Sequence, residues 1–316
     1  MRRILLCALL AIMTSAPLLA ADDSNSTLAA LGDLSRRGQL PQVIQAANSL
    51  LANNKLSPGD QGMVLIYLAY AYQQQGEFTQ ATANYEKALA VVNRDGQHRS
   101  EYAATLATLA TVYAQTGQVD TAKHVLLRSI DMFEKESDHE GAAMIWNDLA
   151  TIAADQHSRG EAHKDMKHCI AESQMASSMT PGERAALATT EGRIAELDGD
   201  PHGAISNYER ALDLWKQTNL DQQQRTAWLN VLLGEAYLQA GDLANARETT
   251  KRGLDQLEAT SGRQTLHYLS AQIAYSKILD ASGAHEEAST MRKEAQAGLK
   301  RDAQSAQGQI SISALR

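Results

Sequence analysis

The sequence predicts an all-α chain, a right-handed superhelical solenoid of stacked antiparallel helix pairs, and three observations point there. Apolar and small residues recur three or four apart on both sides of single glycines, the pattern of two amphipathic helices joined by a tight turn. That glycine-centred frame returns along the chain with a period near 42 residues. A chain of 316 residues with 2 cysteines exceeds one ordinary compact core and offers no disulfide framework, which favours an array whose core grows by stacking.

Taken in order, the chain opens with Met1, Arg2 and Arg3, an apolar run from Ile4 to Met13, and small residues at Ala16, Ala20 and Ala21. This is the layout of a cleavable export signal over residues 1–21, with cleavage after Ala20 or Ala21. An uncleaved anchor is disfavoured because Thr14, Ser15 and Pro17 interrupt a short apolar core. Cys7 lacks the small residue before it that a lipidation site needs, and Arg2-Arg3 lacks the rest of a twin-arginine pattern. The expected location is therefore periplasmic or secreted, with no membrane insertion after cleavage. Removing two arginines and no acids takes the formal charge from −8 to −10. That acidity, without a basic run, argues against nucleic acid or an anionic membrane surface as the partner. Cys169 is then the one cysteine left, so the fold must rest on apolar packing.

The array is expected over residues 22–300. Its clearest unit is Leu68-Ala69-x-x-Tyr72-x-x-x-Gly76-x-Phe78-x-x-Ala81-x-x-x-Tyr85-x-x-Ala88-Leu89. Gly76 suits the left-handed residue that ends a helix, Thr79 or a neighbour can cap the next, and Ala81 and Ala88 are small where two helices cross closely. The frame recurs at Leu109-Ala110-x-x-Tyr113-x-x-x-Gly117 and at Leu233-Gly234-x-x-Tyr237-x-x-x-Gly241, with weaker copies centred on Gly38, His157, Gly199 and Gly283. Seven helix pairs follow. Ser57-Pro58-Gly59-Asp60 and Thr180-Pro181-Gly182-Glu183 each place a hydroxyl at the cap, proline at the first helical position and an acid three after the cap, predicting helices from 58 and 181. His157 in a glycine slot, Glu191 at an apolar position and the segment 173–180 make the middle the least regular stretch, the place where the array would bend, or split into sub-domains, if it does either. Residues 301–316 are expected as a disordered or short extended tail, since Ile310 and Ile312 alternate with serines.

The unit resembles the tetratricopeptide repeat in its Leu-Gly-x-x-Tyr, Gly, Ala and Ala-Leu positions, in a longer variant similar to the kinesin-light-chain type. The extra residues would lengthen the helices by about two turns per repeat. The resemblance implies an extended concave face lined by the first helix of each pair, with ligand-facing positions two, five, nine and twelve residues into it. Carried onto this sequence these are Met63, Ile66, Tyr70 and Gln73, then Ala107, Thr111 and Ala114, and then Met144, Asn147 and Thr151. Further along they are Thr189, Arg193 and Glu196, then Trp228, Val231, Glu235 and Leu238, and finally Ile273, Lys277 and Asp280. The N-terminal lining reads as apolar and uncharged, suiting an extended peptide with apolar anchors, and the C-terminal lining as mixed in charge. The lysine and asparagine clamp with which some relatives grip a C-terminal carboxylate is not matched, because Ile66, Tyr70 and Ala107 stand there. Tyr70 and Trp228 suit packing against a neighbouring repeat as well as a ligand.

Catalytic and cofactor chemistry finds little support. The chain carries no phosphate loop, dinucleotide fingerprint, His-Glu-x-x-His helix or paired-cysteine metal motif. His157, His163, His168 and Cys169 are the nearest thing to a metal set, but His163 and His168 are five apart and fall on different sides of one helix. The expectation is a non-catalytic protein- or peptide-binding scaffold without a cofactor, with homo-oligomerisation open. The alternatives are a structural subunit of a cell-envelope assembly and, less supported, a hydrolase with an unrecognised site.

Overall fold

The computed structural model describes residues 23–52, 56–95, 99–218, 223–263 and 265–313. The export segment expected at 1–21 lies outside them. Among the described residues the chain is all-α, with fourteen helices. They pair in chain order as α1 (Asp23–Arg36) with α2 (Leu40–Ala52), α3 (Pro58–Gln74) with α4 (Phe78–Asp95), α5 (Arg99–Gln115) with α6 (Val119–Lys135), and α7 (His139–Asp155) with α8 (Arg159–Met175). The later pairs are α9 (Pro181–Asp198) with α10 (Pro201–Lys216), α11 (Gln223–Gln239) with α12 (Leu243–Ser261), and α13 (Leu266–Ala281) with α14 (His285–Ser313).

The turns inside the pairs are set by backbone conformation. Gly38, Gly76, Gly117, His157, Gly199, Gly241 and Gly283 all have positive φ, between 55° and 85°. In each turn the amide after that residue donates to the carbonyl five residues earlier, as in Glu77 N to Tyr72 O at 2.9 Å and Ser158 N to Ala153 O at 2.8 Å. This closes the carbonyls that a helix end leaves open. At six of the turns glycine enters the left-handed region without a Cβ penalty. His157, at φ 55°, does not. His157→Gly is expected to raise stability by about 1 kcal/mol in urea titration, the left-handed cost of a side chain less the entropy glycine adds to the unfolded chain.

Two helix starts follow their caps. Ser57 Oγ accepts from Asp60 N at 3.1 Å, and Thr180 and Glu183 cap each other reciprocally, Thr180 N donating to Glu183 Oε2 at 2.7 Å. The helix after Gly76 starts one residue before Thr79, which leaves Glu77 at the cap position, its carbonyl accepting the helix's first hydrogen bond from Ala81 N at 3.0 Å. The C-terminal segment differs from the extended or disordered expectation: α14 continues through Ser313. Ala303, Gln304, Ala306 and Gln307 favour continuing a formed helix, and a short Ile/Ser alternation after Gly308 does not reverse it.

The chain divides into two compact units, which part within the α7–α8 pair and again between Ser177 and Ser178. Unit 1 takes residues up to Ile152 with His168–Ser177 and the chain from Gln309. Its core is a relay of overlapping apolar clusters: Leu31, Val43, Val64 and Leu68 join α1 to α3, Leu65, Tyr85, Leu89 and Leu106 join α3 to α5, and Leu126, Phe133, Ile145 and Leu149 join α6 to α7. Unit 2 takes Ala153–Lys167 and Ser178–Gly308. Ala185, Tyr208, Trp215 and Leu233 join α9 to α11, and Val231, Leu257, Tyr275 and Ile278 join α11 to α13. Small residues let the helices meet. A Cβ on Gly192 would lie 2.4 Å from the Tyr208 ring, so the glycine is what seats that ring against α9.

Candidate functional site

The repeat register decides which side chains line up. Counting back six residues from each of the last six left-handed turns gives Tyr70, Thr111, Thr151, Arg193, Glu235 and Lys277; counting back three gives Gln73, Ala114, Glu196, Leu238 and Asp280 among others. All lie on first helices of the pairs, and the two units use these rows differently.

In unit 1 most of the expected lining is buried. Ile66, Ala107, Thr111, Ala114, Met144, Asn147 and Thr151 are all below a tenth exposed. This corrects the expectation of an open apolar groove there. Small residues at these positions let neighbouring helices close on one another, and their side chains become contacts between helices. Met63 is partly buried against the α3–α6 cluster, and Tyr70 and Gln73 keep partial exposure. Gln73 ties three helices together: its Nε2 donates to Thr111 Oγ1 at 3.1 Å and its Oε1 accepts from the Tyr85 hydroxyl at 3.0 Å.

Beside Asn147 sits a residue the sequence reading passed over. Asp148 is 1% exposed, and neither of its carboxylate oxygens has a hydrogen-bond partner; Asn147 Oδ1 has none either. Burial pushes the Asp148 carboxyl well above the usual carboxylate range. A folded-state value above the unfolded one means that the native state is favoured below the unfolded pKa and loses stability as pH climbs from there toward the folded value. Asp148→Asn is therefore expected to stabilise the chain by about 1–3 kcal/mol at pH 8, with the difference vanishing near pH 4, in urea unfolding at the two pH values.

Unit 2 carries charge on the same rows. Arg193 of α9 forms an ion pair with Asp155 at the end of α7, with side chains 20% and 9% exposed. Lys277 Nζ of α13 stands 2.6 Å from Glu235 Oε1 of α11. Asp280 pairs with Arg292 of α14 and lies 3.3 Å from His285 Nδ1, and these hydrogen bonds, Arg292's first, hold its carboxyl below the ordinary range. Glu196 of α9 is within reach of charges from two of these pairs, Arg193 of the first and Glu235 and Lys277 of the second. Burial, reinforced by the charge of Glu235, pushes its carboxyl up to about 7, against the opposing pull of Tyr208, Arg193 and Lys277. The Tyr208 hydroxyl from α10 is fully buried and faces Glu196, whose Oε1 has no hydrogen-bond partner. Asp155 Oδ2 is likewise unpartnered.

The remaining expected positions of unit 2 are structural. Trp228 packs between both apolar clusters of the unit and meets His267 edge-on, with ring centroids 5.5 Å apart. Val231 is buried, Leu238 packs against the α11–α13 cluster, and Thr189 Oγ1 donates to the Ala185 carbonyl at 2.8 Å. The histidines of the middle stretch go separate ways. His163 Nε2 lies 3.0 Å from both oxygens of Asp198, His168 stacks on Trp146 at 4.4 Å, and Cys169 is buried. Among the described residues no group of three His, Cys, Asp or Glu side chains could hold a metal ion. No helix among them is long and apolar enough to cross a membrane.

Comparison with known proteins places the fold. The tetratricopeptide repeat pattern is matched over residues 60–135 and 183–259. No characterised protein gives a significant match to the sequence. Several solved structures share the fold. The BtubC (BKLC) protein of P. vanneervenii is 19% identical over 77% of this chain and 94% of its own, with a TM-score of 0.54. The apo quorum sensor NprR of B. thuringiensis is 14% identical over 89% of both chains, with a TM-score of 0.57. NprR with its cognate peptide NprX is 15% identical over 90% of this chain and 79% of its own, with a TM-score of 0.61. At these identities the likeness extends to the all-α stack of helix pairs and stops there.

Proposed function

We propose that this tetratricopeptide-like repeat protein is a non-catalytic scaffold that binds peptides or protein partners outside the cytoplasm, and that the first-helix rows of unit 2 are its working surface. One observation carries the reading: at a spacing of 42 residues Arg193, Glu235 and Lys277 repeat a charged position, with the buried Glu196 Oε1 among them lacking a hydrogen-bond partner. Helix-pair stacks present such rows as extended recognition surfaces. The likeness to NprR, a fold solved with a bound peptide, supports this use of the architecture. Export rests on the charged, apolar and small-residue regions of residues 1–21. Fusing residues 1–22 to a reporter that is active only after translocation tests that part, and an inactive, uncleaved fusion would refute it.

The surface itself is tested by placing a photoreactive residue at Lys277 or at Tyr70 and, separately, at Leu127, which lies on the second helix α6 and is half exposed. Crosslinks to the same partner from Lys277 but not from Leu127 are expected. Crosslinks from Leu127 alone would move the function to the second-helix face and favour a structural envelope subunit. A partner reached from Tyr70 as well would extend the working surface into unit 1.

A further inference from the structure

We propose that the Glu196 cluster of unit 2 is a subsite for one organic cation, the ammonium or guanidinium group of a peptide ligand; this rests on the peptide-binding reading above. Four charged groups meet here, Arg193 and Glu196 from α9, Glu235 from α11 and Lys277 from α13, and Asp155 from α7 joins them through its pair with Arg193. Two of the three acids are already matched, Asp155 by Arg193 and Glu235 by Lys277. Glu196 is left without a counter-ion. Two carboxylate oxygens, Glu196 Oε1 and Asp155 Oδ2, lack a hydrogen-bond partner, and the buried Tyr208 hydroxyl facing Glu196 can accept as well as donate. A buried carboxylate without a partner is costly, whereas a ligand bearing several N–H donors and one positive charge would satisfy it and its neighbouring oxygens together. The carboxylates are not grouped as a metal site, so the geometry favours an organic cation over a divalent ion. The cluster opens to solvent through Glu235 and Lys277, whose side chains are 24% and 55% exposed.

The raised Glu196 value then has a consequence for binding. Below about pH 7 the carboxyl holds a proton that the cation must displace, so affinity is expected to rise with pH toward 8, by up to about tenfold per pH unit on the acid side.

The test uses the purified full chain panned against a random dodecapeptide display library, with enriched peptides resynthesised and titrated by fluorescence polarisation. Peptides that need a basic group are expected. Acetylating the peptide N-terminus, or replacing its lysine by norleucine, tells whether the terminal ammonium or a side chain is read. Glu196→Gln should weaken the basic peptide about ten- to a hundredfold, leave the norleucine peptide unchanged and flatten the pH dependence. Tyr208→Phe, which keeps the ring seated on Gly192, should weaken it severalfold, and it carries the test if the Glu196 variant loses its helical melt. Enriched peptides that bind Glu196→Gln as well as wild type, or bind independently of any basic group, would overturn the subsite and leave the peptide-binding reading standing. A library that yields no binder would overturn both.

Discussion

Tyr85→Ala is expected to destabilise unit 1 by about 3–5 kcal/mol, the cost of emptying a fully buried aromatic site that its surroundings cannot close. Tyr85 is completely buried among Leu65, Ile66, Ala69, Leu106 and Leu109, so it packs between α3 of its own pair and α5 of the next. Its hydroxyl also fixes Gln73, which in turn donates to Thr111, and burial drives the phenol far above its ordinary range, so it stays protonated and able to donate. Tyr85→Phe isolates that second role. It should cost only about 1 kcal/mol, the net worth of one hydrogen bond. In a stack of repeats stability is roughly a sum of repeat and neighbour terms, so the loss should be local. Hydrogen exchange should quicken in α3–α6 of the Tyr85→Ala chain while α11–α13 keep wild-type protection, and a uniform loss throughout would show that the units unfold as one.

The parts of this structure that a sequence reveals are those where a single residue type satisfies a backbone requirement. A left-handed residue after each first helix all but demands glycine, so six of seven turns could be read directly, and the seventh, at His157, only because the spacing called for one. Caps are legible for the same reason, as at Ser57 and Thr180. The binding rows were legible in register but not in exposure. Asn147 and Thr151 are polar and fall in the right row, yet they are buried, because how closely two helices approach depends on every side chain between them. Asp155 and Tyr208 were missed. Asp155 lies off the register, two residues before the turn, and is recruited only because Arg193 reaches it from the next first helix; Tyr208 fits the repeat's packing pattern, which hides that its hydroxyl faces Glu196. Asp148 gave no signal, since an acid on a helix reads as a solvated face until the neighbouring repeats are in place.

The Arg193 and Asp155 pair should behave as one unit whose halves are worth more than their sum. With Asp155 only 9% exposed, Arg193→Met strands a carboxylate in a site it was brought into by its partner. Breaking a buried pair in this way costs about 3–5 kcal/mol, most of it the penalty of the charge left behind. Asp155→Leu should be destabilising too, since it leaves the guanidinium, 20% exposed, facing Glu196 alone, but by less, because Arg193 can turn toward that acid. The double variant removes both charges and fills the space with apolar atoms, so it should return to within about 1 kcal/mol of wild type. A coupling energy near zero in that cycle, measured by urea denaturation, would mean that the pair is solvated in solution and holds no part of unit 2 together. A double variant more stable than wild type would imply that the polar row is kept at a stability cost that two apolar residues would avoid, which is what a surface retained for recognition predicts. The binding assay then separates the two roles: the double variant should fold like wild type and still lose affinity for basic peptides, because the arginine and aspartate that frame Glu196 are gone.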